Sequence, residues 1–302
     1  MVPTLNIITM AVMALASVAL LVVAWIIIWR RTRASFINTL IGMAVFLVCY
    51  VIALATSVLG GMLISSPVIL TLVLSLRAGL VEEFGRFVAF KWLLKKRKAL
   101  GDGLMYGLGH GGMEVLLVYT LTMVSNMAFS IMVNTGGLTA LLTAAPAQAD
   151  ALNAAVQTLV TASPGLLSVG LVERVIALVL QISLSVIVFC AVRQRKWLYL
   201  VLAMALHAVA DGVTALYQGG VVGTWAIEGI IGVVAVCVAL IAWRIARTYR
   251  PPVEGPTGNP PVSPQGTAGN PPVQPQGPSG NPPVQPQGPA GPLPPPPTKP
   301  SV

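Results

Sequence analysis

The sequence predicts an all-α membrane protein, a polytopic transmembrane helix bundle of about seven spans. Of the 302 residues, 56% are hydrophobic and only 9% are charged, and the mean hydropathy of +0.83 is too high for a water-soluble domain of this length. The apolar runs continue for about 20 residues or more, whereas the strands of a membrane barrel alternate polar and apolar residues. Because unpaired backbone groups are costly in lipid, these runs must form helices.

Seven apolar runs predict seven membrane-spanning helices within a transmembrane domain of residues 1–250. The predicted spans are residues 5–29, 36–59, 67–93, 104–132, 166–192, 197–217 and 224–243. The first run is too long for a cleaved signal peptide, and its basic residues follow it rather than precede it. We therefore expect it to be an uncleaved span.

Basic residues cluster at alternate junctions between the spans, and this pattern predicts the orientation. Thirteen of the 18 Lys and Arg residues lie in four clusters, which are Arg30, Arg31 and Arg33; Lys95, Lys96, Arg97 and Lys98; Arg193, Arg195 and Lys196; and Arg244, Arg247 and Arg250. Cytoplasmic loops carry such an excess, so we expect a cell-membrane protein with its N-terminus outside and its C-terminal tail in the cytoplasm. Membrane lipid, rather than nucleic acid, then accounts for the net charge of +9.

Two segments outside the spans have predicted structures of their own. Residues 134–165 place Leu152, Val156 and Leu159 on one helical face, which fits a short interfacial helix or a surface loop. Residues 251–302 are rich in Pro and Gly, with a repeated Gly-Asn-Pro-Pro-Val motif, and are expected to form a disordered cytoplasmic tail. This tail is either an inert spacer or a partner for a proline-recognition domain.

Few ionisable residues remain inside the predicted spans, where burying each one costs about 2.5–3.5 kcal/mol. The candidate site residues among them are Glu82, Glu83, Arg86, His110, Glu114, His207 and Asp211. Glu82 and Arg86 are four residues apart on one helix and can form an ion pair. Each of the chain's two histidines, His110 and His207, has a carboxylate four residues later, a spacing that can orient an imidazole ring. The adjacent pair Glu173 and Arg174 is expected to make bundle contacts instead.

Acidic, basic and imidazole groups buried together suit the hydrolysis of a peptide bond in lipid. A carboxylate can activate water, and a metal or imidazole donors can stabilise the oxyanion. Two neutral imidazoles and a carboxylate are also the ligand types of catalytic zinc. On ligand type alone, His110 and His207 are candidate ligands of Zn2+, although the chain has no HExxH helix.

Three segments resemble the YhfC family of predicted intramembrane metalloproteases, which is similar to the clan of CAAX-prenyl endopeptidases. These segments are Glu-Glu-Phe-Gly-Arg at 82–86, Tyr-Gly-Leu-Gly-His-Gly-Gly-Met-Glu at 106–114 and His-Ala-Val-Ala-Asp at 207–211. The resemblance implies that Glu82 or Glu83 activates water. It also implies that His110 and His207 bind a metal or the oxyanion, and that Asp211 supports His207.

The sequence therefore predicts an intramembrane endopeptidase that acts on a peptide or a membrane-protein substrate. The alternative is a non-enzymatic membrane protein, either an ion- or proton-coupled transporter that uses the buried charges or a scaffold that uses the Pro-rich tail. A transporter more often contains two related halves, and no such repeat is evident among the predicted spans.

Overall fold

A computed structural model describes residues 1–251, and the predicted Pro-rich tail after residue 251 lies outside the described residues. The described part of the chain forms α-helices, two of which continue into π-helical segments at Ala89–Leu93 and Val115–Thr120, joined by short turns, and it contains no β-strand. The helices are α1 (Thr4–Thr32), α2 (Phe36–Leu63), α3 (Pro67–Val88), α4 (Leu100–Glu114), α5 (Leu121–Asn134), α6 (Gly137–Ala144), α7 (Ala149–Thr161), α8 (Pro164–Gln194), α9 (Trp197–Gly212), α10 (Ala215–Gln218) and α11 (Thr224–Thr248). The predicted all-α fold is confirmed.

Within residues 1–251, six helical stretches are long and apolar enough to span a membrane. They are Thr4–Thr32, Phe36–Leu63, Leu100–Asn134, Pro164–Gln194, Trp197–Gln218 and Thr224–Thr248. The remaining predicted span corresponds to α3, which has 22 residues but carries four charged side chains. One face of α3 presents Leu76, Leu80 and Phe84 outward, while Glu83 and Arg86 on the other face are fully buried. Helix α3 is therefore more polar in composition than the six apolar stretches, but its charged side chains Glu83 and Arg86 face the other helices.

Local sequence signals set the ends of several helices. Pro67 and Pro164 occupy the first positions of α3 and α8, where a missing backbone N–H costs nothing. The hydroxyl of the preceding serine, Ser66 or Ser163, accepts a hydrogen bond from the first turn. The last helix, α11, extends five residues past the predicted end at residue 243, because its arginines can lie along the helix surface with their charged groups toward water.

Glycines on α4 allow two neighbouring helices to approach its backbone. Gly103, Gly107 and Gly111 form a small-residue stripe, and an added Cβ at each would contact side chains or backbone of α8. On another face, an added Cβ at Gly109 would overlap the backbone of Thr39 in α2. The helix that carries His110 is therefore fixed on both sides by backbone contact.

Aromatic side chains close the bundle at the end where the basic clusters lie. Phe90, Tyr106 and Phe189 are fully buried and Tyr249 nearly so, and we call these four residues the aromatic plug. The ring centroids of Phe90 lie 4.6 Å from Tyr106 and 5.4 Å from Phe189, and Phe189 lies 5.6 Å from Tyr249. Arg193 braces the plug by donating to the carbonyl oxygens of Phe90, Leu94 and Arg97.

The opposite end of the bundle holds the N-terminus and a short helical segment between α5 and α8. The Asn6 side chain donates to the carbonyl oxygens of Leu159 at 3.0 Å and Ala162 at 2.8 Å, which fixes the end of α7 against α1. Nearby, Asn134 forms hydrogen bonds with both backbone groups of Val2. The predicted short helix in this segment is confirmed as α7, and its position at a membrane interface stays a prediction.

Two glycines of α4 provide a matched test of this packing. We expect Gly109→Ala to lower the free energy of unfolding by about 1–3 kcal/mol, because the new methyl group overlaps the α2 backbone. Gly112→Ala is the control, since its methyl group would meet only Leu21 at an ordinary contact distance of 3.5 Å. Thermal unfolding of the purified, detergent-solubilised variants measures the difference. Equal stability of the two variants would contradict the close α2–α4 contact.

Candidate functional site

Five ionisable side chains from α3, α4 and α9 meet inside the bundle, and we call them the polar cluster. They are Glu82, Glu83, Arg86, His110 and His207. Each histidine lies ten residues after the start of its helix, so both rings are about 15 Å from the basic end of the bundle. The predicted convergence of the three sequence segments is therefore present in the structure.

Glu83 is the fully buried centre of this cluster. Arg86 donates through Nη1 to Glu83 Oε1, and His207 donates through Nδ1 to the same oxygen at 2.6 Å. All three side chains are at most 2% exposed. A carboxylate bound to one ring nitrogen fixes the orientation of an imidazole and directs its other nitrogen. Glu83 thus joins α3 to α9 and aims Nε2 of His207 into the site.

Glu82, the second carboxylate of the pair, has a different environment. Its Oε2 lies 3.0 Å from His110 Nε2, 3.6 Å from Arg86 Nη2 and 3.9 Å from His207 Nε2. The side chain is 16% exposed, whereas Glu83 is completely enclosed. Glu82 is therefore the carboxylate of the pair that both imidazoles face and that keeps some accessible surface.

The predicted pairing of His207 with Asp211 is present. Asp211 Oδ2 lies 3.5 Å from Nε2 of the ring, and the Asp211 side chain is 41% exposed. Together with Glu83 at Nδ1, this places a carboxylate near each nitrogen of His207. Nε2 of His207 therefore lies between Glu82 and the partly exposed carboxylate of Asp211.

The corresponding prediction for Glu114 is wrong. Its carboxylate does not orient His110; it accepts hydrogen bonds from Arg174 at 3.1 Å and from Gln181 at 2.6 Å, both on α8. A cation and an amide on the neighbouring helix satisfy it better than a neutral ring on its own helix. Nδ1 of His110 has no hydrogen-bond partner among the described residues, and the ring packs edge-on against Phe46 at 5.1 Å.

Gln181 is the contact that the sequence analysis missed. It is buried on α8, where its side-chain oxygen accepts from Arg86 Nη2 and its nitrogen donates to Glu114. The expected bundle contact of Arg174 is confirmed, and its guanidinium also pairs with Glu173. A search for neutral amides as well as charges inside the apolar runs would have identified Gln181. Through it, the polar cluster is connected to a second group of charges.

A polar cavity of about 320 Å³ adjoins the cluster between α3, α8 and α9. Its lining includes Thr71, Ser75, Glu114, Glu173, Arg174 and Asp211. Arg77 also lines it, and the guanidinium donates to the carbonyl oxygen of Ala53 and to the Thr56 hydroxyl, which explains this otherwise isolated charge as a contact with α2. The cavity meets the polar cluster at Asp211, which contacts His207.

The donors around Glu82 fit zinc by type. The separations of 3.0 and 3.9 Å from Glu82 Oε2 to the two Nε2 atoms lie on either side of the about 3.3 Å expected between ligands of tetrahedral zinc. As the side chains stand, however, residues 1–251 contain no assembled group of three or more His, Cys, Asp or Glu residues that could hold a metal ion. The prediction that zinc binds here therefore rests on the types of the ligand side chains and stays a prediction.

Comparisons with known proteins agree with the motifs. A relative from Bacillus subtilis (strain 168), described as uncharacterized membrane protein YhfC, is 34% identical over 175 residues, which cover 58% of this chain and 67% of that protein. No solved structure matches the chain. The sequence model described as YhfC intramembrane metalloprotease matches residues 17–231, a stretch that contains the whole polar cluster. The chain belongs to the YhfC family.

Proposed function

We propose that this protein is an intramembrane endopeptidase in which Glu82 activates the attacking water. The observation that carries the proposal is the position of the Glu82 carboxylate. It lies between two buried imidazoles, and the Glu82 side chain is 16% exposed. The name of the matching family supports the same reaction class. A carboxylate with solvent contact and fixed neighbours is the group that general-base catalysis requires.

The proposed reaction uses the side chains in two roles. Glu82 takes a proton from water as the oxygen attacks the carbonyl carbon of the peptide, which gives a tetrahedral oxyanion. His207, protonated at Nε2 as well as at the Nδ1 that Glu83 holds, donates through Nε2 to this oxyanion. The proton held by Glu82 then passes to the leaving nitrogen as the carbon–nitrogen bond breaks. The products are a carboxylate and an amine, and Glu82 returns to its ionised form.

The enclosed residues position these groups and do not touch the substrate. Arg86 is held by Glu83 and Gln181, and its charge keeps both carboxylates of the pair in place. Removing one partner of such a buried ion pair leaves an uncompensated charge, at a cost of about 3–5 kcal/mol. Glu83 and Arg86 are therefore expected to be required mainly for folding, and Glu82 mainly for hydrolysis.

A metal ion would add a Lewis acid to the same site. His110 and His207 are the residues that would hold it, with Glu82 beside them, and bound zinc would lower the pKa of water and polarise the peptide carbonyl. The substrate is a peptide or a membrane protein; the resemblance to prenyl endopeptidases does not by itself assign a prenylated one.

The alternative of an ion-coupled transporter is less well supported by the bundle. A transporter needs access to its site from both sides of the membrane in turn. In the part of the chain that the structure describes, the polar cavity lies on one side of the cluster and the aromatic plug lies on the other. The cavity therefore approaches the cluster from one side in this conformation.

Substituting Glu82 tests the proposed base. We expect Glu82→Gln to reduce hydrolysis by about 10²–10⁴-fold, because the amide cannot accept the proton of water. The measurement is the appearance of fragments from a library of single-span reporters tagged on both sides and coexpressed with the protein. Asp150→Asn, on exposed helix α7, is the control and should cleave like the unmodified protein. Full processing by Glu82→Gln would contradict the proposal.

The neighbouring substitution should behave differently. We expect Glu83→Gln to lower the free energy of unfolding by about 3–5 kcal/mol, since Arg86 and His207 lose their shared carboxylate. Glu82→Gln should leave stability nearly unchanged. Thermal unfolding in detergent distinguishes the two, and a more stable Glu83→Gln than Glu82→Gln would reverse the assignment of roles.

Metal content is a separate test. The ligand types and the family predict about one zinc ion per purified chain, and loss of that zinc in both His110→Ala and His207→Ala. Elemental analysis of the purified protein measures this directly, with Asp150→Asn as the control. A protein that cleaves reporters without bound metal would remove zinc from the account and leave Glu82 as the activating group.

A further inference from the structure

The polar cluster has different surroundings on its two sides along the bundle. Toward the basic end, Tyr106 lies one turn from His110, and its ring packs against Phe90, which in turn packs against Phe189 in the aromatic plug. Arg193 and the Tyr249 hydroxyl bind backbone carbonyl oxygens just beyond these rings. Within residues 1–251 this side is filled by buried rings, and its polar groups, among them the Tyr106 hydroxyl and the hydrogen-bonded pair Asn38 and Asp102, are enclosed.

Toward the end that holds the N-terminus, the side chains are charged or hydroxyl-bearing. The polar cavity extends from Asp211 to Thr71, which is four residues, or about 6 Å, from the start of α3. Two of its carboxylates, those of Glu173 and Asp211, are each 41% exposed. A volume of about 320 Å³ has room for on the order of ten water molecules. The lining also includes Leu74, Leu180 and Ile231, so the cavity combines polar and apolar surface.

Contacts connect this cavity to the reacting group. Asp211 lies 3.5 Å from His207 Nε2, and the same nitrogen lies 3.9 Å from Glu82. We propose that the polar cavity is the route by which water and the substrate's peptide bond reach Glu82, entering from the end of the bundle that holds the N-terminus. The substrate is then a polypeptide whose scissile segment adjoins that face of the membrane. If the basic clusters are cytoplasmic as predicted, that face is outside the cell.

The part of this inference that concerns the substrate rests on the proposed function, and the part that concerns the route does not. Accessibility to a water-borne reagent measures the route without any hydrolysis. Two serines provide a matched pair, because Ser75 and Ser185 each donate to the carbonyl oxygen four residues earlier and each is nearly or fully buried. Ser75 lines the polar cavity, whereas Ser185 lies one turn from Gln181 toward the plug.

The experiment uses the full-length protein in two preparations of sealed vesicles, in which the protein has opposite orientations. All variants also carry Cys237→Ser, because Cys237 is the exposed cysteine. A small, permanently charged methanethiosulfonate is added to one side only. Asp150→Cys and Lys196→Cys mark the N-terminal and basic ends, respectively. We expect Ser75→Cys to react only from the side that labels Asp150→Cys, and at least about tenfold faster than Ser185→Cys.

Three results would overturn the proposed route. In the first, Ser75→Cys reacts only from the side that labels Lys196→Cys. In the second, Ser185→Cys reacts faster than Ser75→Cys. In the third, Ser75→Cys reacts from neither side while Asp150→Cys reacts normally. Hydrolysis is then followed in the same vesicles with a tagged single-span reporter, and modification of Ser75→Cys should block it. Labelling as expected without any cleavage by the unmodified protein would overturn the proposed function and leave the water route standing.

Discussion

The site depends on one buried carboxylate, that of Glu83, which accepts hydrogen bonds from both Arg86 and His207. A guanidinium keeps its proton in proteins, so in the interior of a membrane bundle it needs a fixed counter-charge. Glu83 provides that charge and at the same time joins α3 to α9. Gln181 holds the other side of the guanidinium from α8. Because these enclosed groups hold one another, Glu82 is left beside the imidazoles with a side chain that is 16% exposed.

The bundle is asymmetric around this cluster, and the asymmetry limits the functions that it can have. Fully buried rings of Phe90, Tyr106 and Phe189 fill the basic side, while an open cavity with exposed carboxylates occupies the other. A hydrolase needs water and a peptide at one reacting group and tolerates a closed side. Glycine contacts between α4 and its neighbours hold this arrangement, since they fix the backbone on which His110 lies.

Much of the fold could be predicted because it depends on local properties of the sequence. Unbroken apolar runs predicted the spans, and six helical stretches are long and apolar enough to cross a membrane in the part of the chain that the structure describes. Side-chain partners were harder, because a spacing of four residues places two groups on one helix face without saying which neighbouring helix that face meets. His207 and Asp211 do meet, whereas Glu114 turns to α8. The plug also joins rings that are distant in sequence, and no periodicity reveals such contacts.

The most direct test of the central claim is nitrogen-15 NMR of histidine-labelled protein, since the chain has only His110 and His207 to report. The carboxylate nearest to each ring differs, so the ring nitrogen that faces a carboxylate should respond most to its substitution. The account predicts that Glu82→Gln shifts the Nε2 resonance of His110, and that Glu83→Gln shifts the Nδ1 resonance of His207 and leaves His110 unchanged. A His110 spectrum that is unaffected by Glu82→Gln would contradict the proposed site.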